Sequence, residues 1–245
     1  MKANKFLLTL LLTVNIKYMQ AQPAAKEDAM NTTARLIQYD VKPAQLAAFK
    51  TAVAAYVLHS LRLESNILSE AYYEEDKPSV IWIIERWRSR KAVDEASAGQ
   101  PFKAITSLAV NALVTPPSTF YVKDLEPLSK ADWRKQPAAG DTPLTIMLFV
   151  DSKAGTAEQF KKVYHTAMPQ FRSEPGVINY QLSQLENDST QFVTYEKFRN
   201  EAAFQYHLSF PPIQPVIGYL NTSIKKQPFQ TGLHWLIAFA YYNHP

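Results

Sequence analysis

The sequence predicts an α+β fold in which one βαββαβ unit occurs twice, and two observations lead to this prediction. The first is a shift of 111 residues that superimposes like residues on each other: Phe49 on Phe160, Glu85 on Glu196, Pro101 on Pro212 and Pro117 on Pro228. The second is the order of elements in each half, which is that of a ferredoxin-like domain. A period of this length indicates two homologous domains, because the repeats of solenoids are shorter.

The elements of the second half follow from its residue pattern. The run TIMLFV, from Thr145, predicts a strand, and an amphipathic helix follows it. VINYQLSQL and QFVTYEKF predict a hairpin around the turn residues Asn187 and Asp188. Asn200 is expected to cap the next helix, in which Phe204, His207 and Leu208 share one face at i, i+3 and i+4. The first half has a parallel pattern, with Phe49, Val53 and Val57 on one face of its first helix.

The domain boundaries follow from composition. We expect residues 31–125 to form the first domain and residues 142–240 the second. Residues 126–141, EPLSKADWRKQPAAGD, are polar and contain prolines and a glycine, which is typical of a linker. Residues 1–22 combine a positive start with a short apolar run, which predicts a secretory signal peptide. A disordered N-terminus is the alternative to a signal peptide.

Charge and cysteine content exclude several classes of function. The apolar run is too short to span a bilayer, so we expect a secreted or periplasmic protein without a membrane anchor. Of 26 basic residues, Lys2, Lys5 and Lys17 belong to the leader, which leaves 23 against 22 acidic ones. This balance argues against nucleic-acid binding. The absence of cysteine excludes disulfides, thiolate metal sites and a cysteine nucleophile.

The second half carries a family resemblance. EPGVINYQL, followed by FVTYEKFRNEAAFQYHLSFPP, resembles the antibiotic biosynthesis monooxygenase family, and Glu85-Arg86-Trp87 is the clearest match in the first half. The matching motifs are Pro175-Gly176, the acidic-basic-aromatic triplet Glu196-Lys197-Phe198, and Ala203-Phe204 with His207. In this superfamily two domains pair their sheets into a dimeric α+β barrel. The resemblance therefore implies that the tandem repeat forms an intramolecular barrel.

The resemblance also implies an activity. Family members that oxygenate quinols or polyphenols use no cofactor, so we expect a cofactor-independent monooxygenase whose partners are a small aromatic molecule and molecular oxygen. The sequence agrees, since its histidines show no H-x-H or H-E-x-x-H spacing and it has no glycine-rich phosphate loop. A non-catalytic binding or scaffold protein of the same fold is the alternative, and further homo-oligomerisation stays open. Haem degradation is a weaker alternative, because neither RLIQYD nor TIMLFV holds the asparagine that haem-degrading relatives use.

The candidate site residues lie in the second half. His207 is the predicted general base, because an imidazole titrates near neutral pH. A histidine hydrogen-bonded within the core is the alternative. Glu196 and Phe198 alternate onto one strand face and are predicted, with Phe204 and Tyr180, to bind the substrate. For Glu196 the alternative is a salt bridge at a strand end.

The first domain is predicted to be degenerate. Ala96 stands opposite His207 in the 111-residue register, so the first domain lacks the predicted base. Aromatic residues are frequent on the hairpin strands of both halves, where they fill either a core or a pocket for a planar substrate. This set comprises Tyr72, Tyr73, Trp82, Tyr180 and Tyr195.

Overall fold

A computed structural model of the protein describes residues 32–242, and the predicted signal peptide at residues 1–22 lies outside the described residues. The first half contains β1 (Thr33–Asp40), α1 (Leu46–Ser60), β2 (Asn66–Glu74), β3 (Val80–Trp87), α2 (Arg90–Ala98), α3 (Gln100–Ala112) and β4 (Ser118–Leu125). A short helix, α4 (Lys130–Trp133), follows in the linker. The second half contains β5 (Leu144–Asp151), α5 (Ala157–Ser173), β6 (Val177–Leu185), β7 (Gln191–Phe198), α6 (Glu201–Ser209), α7 (Gln214–Thr222) and β8 (Leu233–Ala240).

Each half has the predicted element order, with one difference. The single helix expected between the third and fourth strands is two helices, α2 with α3 and α6 with α7. The break falls at Gly99 in the first half and at Phe210 in the second, and both residues are extended. Phe210 precedes Pro211, and a residue before proline is disfavoured in the helical region.

The eight strands form one closed barrel. Their order is β1-β3-β2-β8-β5-β7-β6-β4, and β4 pairs with β1 to complete the ring. The two halves join where β2 pairs with β8 and where β4 pairs with β6. Closure leaves none of these eight strands with an unpaired edge. The predicted fold, two ferredoxin-like domains pairing as an intramolecular barrel, is confirmed.

Strand alternation divides the side chains between the barrel interior and two outer cores. Successive residues of a strand point to opposite faces, so Trp82 and Ile84 of β3 lie in the barrel while Ile83 packs under the helices. Each fully buried large apolar side chain contributes about 1.5–3 kcal/mol to folding. The barrel interior includes Leu36, Leu68, Tyr72, Trp82, Met147 and Tyr195.

The linker packs against the molecule although its composition is polar. Ser129 caps α4 by accepting a hydrogen bond from the amide of Asp132 at 3.1 Å. Trp133, at the end of α4, is only 2% exposed and packs within the barrel cluster. The guanidinium of Arg86 lies 4.0 Å from the centre of the Trp133 ring, and the Tyr195 ring lies 5.6 Å from it. The linker thus closes the barrel end at which β2 begins and β3 ends.

Membrane-spanning helices are not found in the part of the chain that the structure describes. Between residues 32 and 242, no helix is both long enough and apolar enough to cross a bilayer.

Candidate functional site

The structure brings the predicted site residues of the second half together. Asn200 caps α6, with its side-chain oxygen 2.9 Å from the amide of Ala203. This places His207 on the face of α6 that packs against the sheet, where the residue is 1% exposed. The His207 ring lies 5.2 Å from that of Phe198 and 5.3 Å from that of Tyr180. Phe204 packs against Phe198 at 5.5 Å.

His207 has a buried carboxyl partner. Its Nδ1 lies 2.7 Å from Oε1 of Glu174, the residue that follows α5. Burial raises the pKa of Glu174 to about 7, with Glu196 adding to the shift, and burial lowers the pKa of His207 to about 4. Both shifts have one cause, since a low-dielectric interior disfavours charged forms. The imidazole is therefore neutral at pH 7. Within residues 32–242 its Nε2 is buried without a hydrogen-bond partner.

Glu196 is held by hydroxyl groups. The Tyr180 hydroxyl donates to Glu196 at 2.9 Å and the Thr194 hydroxyl donates at 2.7 Å. Burial raises the pKa of Glu196 to about 7, although these two hydrogen bonds act against the shift. Glu196, Phe198 and His207 line none of the five cavities described for residues 32–242. The predicted site residues thus lie together in the core, and among them Tyr180 lines a described cavity, on the side of the linker residues Ser129 and Asp132.

The equivalent carboxylate of the first half has a cation as its partner. Glu85, at the position of Glu196, accepts from Nε of Arg35 at 2.5 Å and from the Tyr56 hydroxyl at 2.8 Å. Arg35 also donates to the Ser97 hydroxyl at 2.9 Å. Burial works against the charge of Arg35, but the neighbouring Glu85 more than offsets it, so the pKa of Arg35 lies above its usual range. The guanidinium is fixed in place and charged.

Arg35 lines an open cavity. A cleft of about 630 Å³ lies between α3 and the outer face of β1 and β4, and we call it the Arg35 cleft. The guanidinium carbon of Arg35 lies 5.1 Å from the centre of the Phe102 ring. Tyr39 lines the cleft with its pKa raised by burial, so its hydroxyl is neutral at pH 7. The other lining residues include Ile37, Phe102, Thr106, Ala109, Leu113 and Tyr121. Apolar and aromatic walls with one fixed cation suit a flat organic molecule that carries an anionic oxygen.

The second half lacks the features of this cleft. In the 111-residue register, Ile146 takes the place of Arg35 and Gly232 takes the place of Tyr121. Phe229, in the segment before β8, packs against the core of the second half. The position of the Arg35 cleft is therefore filled in the half that holds the histidine, and the described cavities of that half lie elsewhere, beside Tyr164 and His165 and beside Phe149 and His234.

The basic residue of each triplet points away from the predicted site. Arg86 and Lys197 lie in the barrel interior, because neighbouring residues of a strand alternate between its faces. Lys197 donates to Glu70 at 2.7 Å and Arg86 donates to Asp124 at 2.8 Å. The alternation of the triplet predicts the direction of these bases, but it gives no signal for their partners.

A second histidine pair lies at the opposite barrel end. Nδ1 of His234 lies 2.8 Å from Oε1 of Glu74, and the indole nitrogen of Trp82 donates to the same oxygen at 2.8 Å. Burial alone would raise the pKa of Glu74, but these hydrogen bonds bring it below the usual value. No local residue pattern indicated this pair, whose members lie 160 residues apart. Within residues 32–242, no three side chains are grouped so that they could hold a metal ion.

Comparison with known protein families gives a match in each half. The model of the family described as antibiotic biosynthesis monooxygenase matches residues 33–107 and 143–215. An uncharacterized protein of Synechocystis sp. is 30% identical over 88 residues, which are 36% of this chain and 55% of that protein. The match thus spans about half the length of this curated relative.

Solved structures share the complete barrel. A candidate monooxygenase from Fusobacterium nucleatum has a TM-score of 0.72 at 13% identity, over 87% of this chain and 94% of that chain. A candidate monooxygenase from Lactobacillus acidophilus has a TM-score of 0.69 at 14% identity, over 85% and 94%. An anthrone oxidase-like protein has a TM-score of 0.59 at 11% identity, over 86% and 93%. At these identities the likeness shows the fold.

Proposed function

Because the chain belongs to the antibiotic biosynthesis monooxygenase family, we propose that it is a cofactor-independent monooxygenase whose substrate is a small phenol or quinol bound in the Arg35 cleft. The observation that carries this proposal is a fixed, buried guanidinium at the side of an open aromatic cleft. The sequence-based assignment to the second half names a different location, so the two locations have to be separated by experiment.

Arg35 supplies the electrostatic part of the proposed chemistry. A cofactor-free oxygenase needs an electron-rich substrate, and a phenol becomes electron-rich when it loses its proton. A positive charge beside the oxygen favours the phenolate, because an opposite charge stabilises the ionised form. The hydrogen bonds to Glu85 and Ser97 hold the guanidinium in place, so the substrate does not have to order it.

The overall reaction balances without an external reductant. A methylene group activated by a neighbouring phenolate loses two hydrogens and becomes a carbonyl, which supplies the four electrons that reduce molecular oxygen. A quinol supplies the same four electrons when it becomes a hydroxyquinone. In both cases one oxygen atom enters the product and the other leaves as water. A structural neighbour is named anthrone oxidase-like, and an anthrone is a substrate of this chemical type.

An alternative for the same reaction is that His207 acts as the general base, as the sequence predicts. A neutral imidazole can accept a phenol proton, and a positioned base contributes about 10²–10⁴ in rate. In the second half the substrate would have to open the core between α6 and the sheet, since His207 is 1% exposed. The alternative from a different class of function is a protein that binds the phenol or quinol without oxidising it.

Oxygen uptake with anthrone and hydroquinone tests the proposal. Thr106 is exposed and lines the Arg35 cleft, so Thr106→Trp should fill the cleft and leave the core intact. Ser107→Trp is the matched control, because Ser107 is exposed on the same helix and does not line the cleft. We expect Thr106→Trp to lose at least about tenfold in oxygen uptake, because its indole ring occupies the volume that the substrate needs. The control should keep its rate.

Two other results of the uptake assay would contradict the proposal. Full activity in Thr106→Trp together with loss in a folded His207→Ala would move the reaction to the second half. If the ligands bind the unmodified protein and no oxygen is consumed, the protein is a binding protein and the monooxygenase proposal fails.

We also propose that the protein is exported, on the basis of the charged and apolar pattern in residues 1–22. Mass spectrometry of the protein from its native host should find a start near Gln22 or Pro23. An intact Met1 in the cytoplasmic fraction would contradict export.

A further inference from the structure

A second cavity lies at the barrel end that the linker closes. It measures about 390 Å³, and we call it the linker-end cavity. Its lining comes from both halves and from the linker, with Glu70 on β2, Lys197 on β7, Ile237 on β8 and Trp133 on α4. It lies on the inner side of the sheet, whereas the Arg35 cleft lies on the outer side. The two cavities share no lining residue.

The floor of the linker-end cavity is a buried ion pair within a hydrogen-bonded cluster. Lys197 donates to Oε1 of Glu70 at 2.7 Å. The hydroxyls of Tyr72 and Tyr195 donate to Oε2 of Glu70 at 2.5 and 2.6 Å. The side chain of Lys197 is 10% exposed and that of Glu70 is 5% exposed. Burying such an ion pair costs free energy because both charges lose water. Its position on the cavity wall leaves the charged groups within reach of a ligand.

Most acceptor sites of Glu70 are occupied, whereas Lys197 still has N–H groups that can donate to a ligand. Glu70 already accepts three hydrogen bonds, from Lys197, Tyr72 and Tyr195. An ammonium group carries three N–H bonds, and one N–H of Lys197 is used by Glu70. A ligand that meets this floor must therefore present an acceptor oxygen to Lys197.

The rim favours a negative charge. Arg134 and Lys135 line the cavity beside Lys197, which makes three cations. Among the described residues, the lining carboxylates are Glu70 and Asp141, and Asp141 is paired with Arg199 at 2.7 Å. The walls between floor and rim are apolar or aromatic, and they include Trp133, Pro137, Pro143, Ile237 and Tyr241.

We propose that the linker-end cavity is a binding site for a small aromatic monocarboxylate. The carboxylate accepts from Lys197, and the ring packs between Trp133 and Tyr241. The charged floor supplies orientation and the aromatic walls supply most of the affinity, as in other small-molecule sites. Because the ligand contacts both halves and the linker, its binding adds to the free energy that keeps the barrel closed.

Isothermal titration of the full-length protein with benzoate and 1-naphthoate tests this site. We expect both acids to bind, and we expect benzylamine, which has the same ring and the opposite charge, to give no heat of binding. Because the Arg35 cleft also suits an anionic aromatic molecule, the titrations are repeated with Thr106→Trp, in which that cleft is filled and binding at the linker-end cavity should persist. This control separates failure of the linker-end site from failure of the Arg35 cleft.

Two variants locate the binding within the linker-end cavity. Ala238 is exposed and lines the cavity, so Ala238→Trp should fill it without touching the ion pair. The double variant Glu70→Gln with Lys197→Met removes both charges together and leaves no unpaired buried ion. Each should weaken naphthoate binding at least about tenfold, which corresponds to about 1.4 kcal/mol of binding free energy. Unchanged binding in both variants, no binding of either acid to the unmodified protein, or equal affinity for benzylamine would overturn the proposal.

Discussion

The two halves of the molecule keep a buried carboxylate at one matched position and stabilise it in opposite ways. Glu85 is paired with the charged Arg35, whereas Glu196 is held by two hydroxyls and has a pKa raised to about 7. The first half therefore keeps a fixed charge beside an open cleft. The second half keeps a carboxyl that is easily neutralised, inside a closed core. Both halves therefore have a glutamate at this position, and the neighbouring groups determine how easily it is protonated.

Separating the halves should have the largest effect. Each sheet has an inner face that only the other half covers, with Tyr72 and Trp82 on one side and Met147 and Tyr195 on the other. We expect residues 32–129 and 130–245, expressed separately, to aggregate or to associate with each other, because an exposed apolar sheet face of this size is unstable in water. Size-exclusion chromatography of each fragment and of the mixture measures this. Two soluble monomers without mutual affinity would show that the halves do not need each other.

Breaking the ion pair of the first half should have the next largest effect. Arg35→Met leaves Glu85 buried without its cation, and removing one partner of a buried pair costs about 3–5 kcal/mol. The double variant Arg35→Met with Glu85→Gln should recover most of this loss, because no unpaired charge remains. Urea denaturation measures both values. Equal stability of Arg35→Met and the unmodified protein would show that the pair contributes nothing to folding.

Glu196 should make stability depend on pH in the second half. A carboxyl with a pKa of about 7 when folded and an ordinary pKa of about 4.5 when unfolded takes up a proton on folding between these values. Its stabilising effect is fully present below pH 4.5 and is lost as the pH rises through 7, which amounts to about 3 kcal/mol. His207 opposes this trend below pH 6.5, because its folded pKa is lowered to about 4.

Glu196→Gln isolates this contribution. The amide cannot ionise, so the variant should gain stability relative to the unmodified protein as the pH rises from 5 to 8. Thermal melts across this range measure the difference. In the first half, Glu85→Gln should destabilise the protein at every pH from 5 to 8, because it breaks the ion pair with Arg35. A Glu196→Gln difference that does not change with pH would show that Glu196 is ionised throughout.

His207 gives the smallest predicted effect. If it acts as a base, folded His207→Ala should lose at least roughly tenfold in turnover, while substitution of Ala96 should change little. Thermal midpoints check that both variants stay folded, since removal of a buried ring also costs stability. Full activity in folded His207→Ala would leave His207 with a structural role beside Glu174.

The fold was predictable because its signals are local and repeated. The 111-residue register, the hairpin at Asn187 and Asp188, and the Asn200 cap are readable from neighbouring residues, and strand alternation places Glu196 and Phe198 on one face with His207. The pairing of the halves came from the family resemblance. These features can be predicted without knowing which residues distant in the sequence are in contact.

The cavities and the buried pairs were not predictable from the sequence. In the sequence, nothing distinguishes Arg35 from other strand residues, and its role follows from its contact with Glu85 in the fold. His234 contacts Glu74 because β8 pairs with β2. The polar composition of the linker likewise hides the burial of Trp133. Such contacts depend on the closed barrel, so a pattern confined to one half cannot reveal them.

The most direct test of the difference between the halves is a crystal structure of the protein with 2-naphthol, a phenol that is not readily oxidised. We predict that the ring lies in the Arg35 cleft with its oxygen about 3 Å from the guanidinium, the distance of a charged hydrogen bond. A ring beside His207 in the second half, with the Arg35 cleft empty, would contradict this prediction.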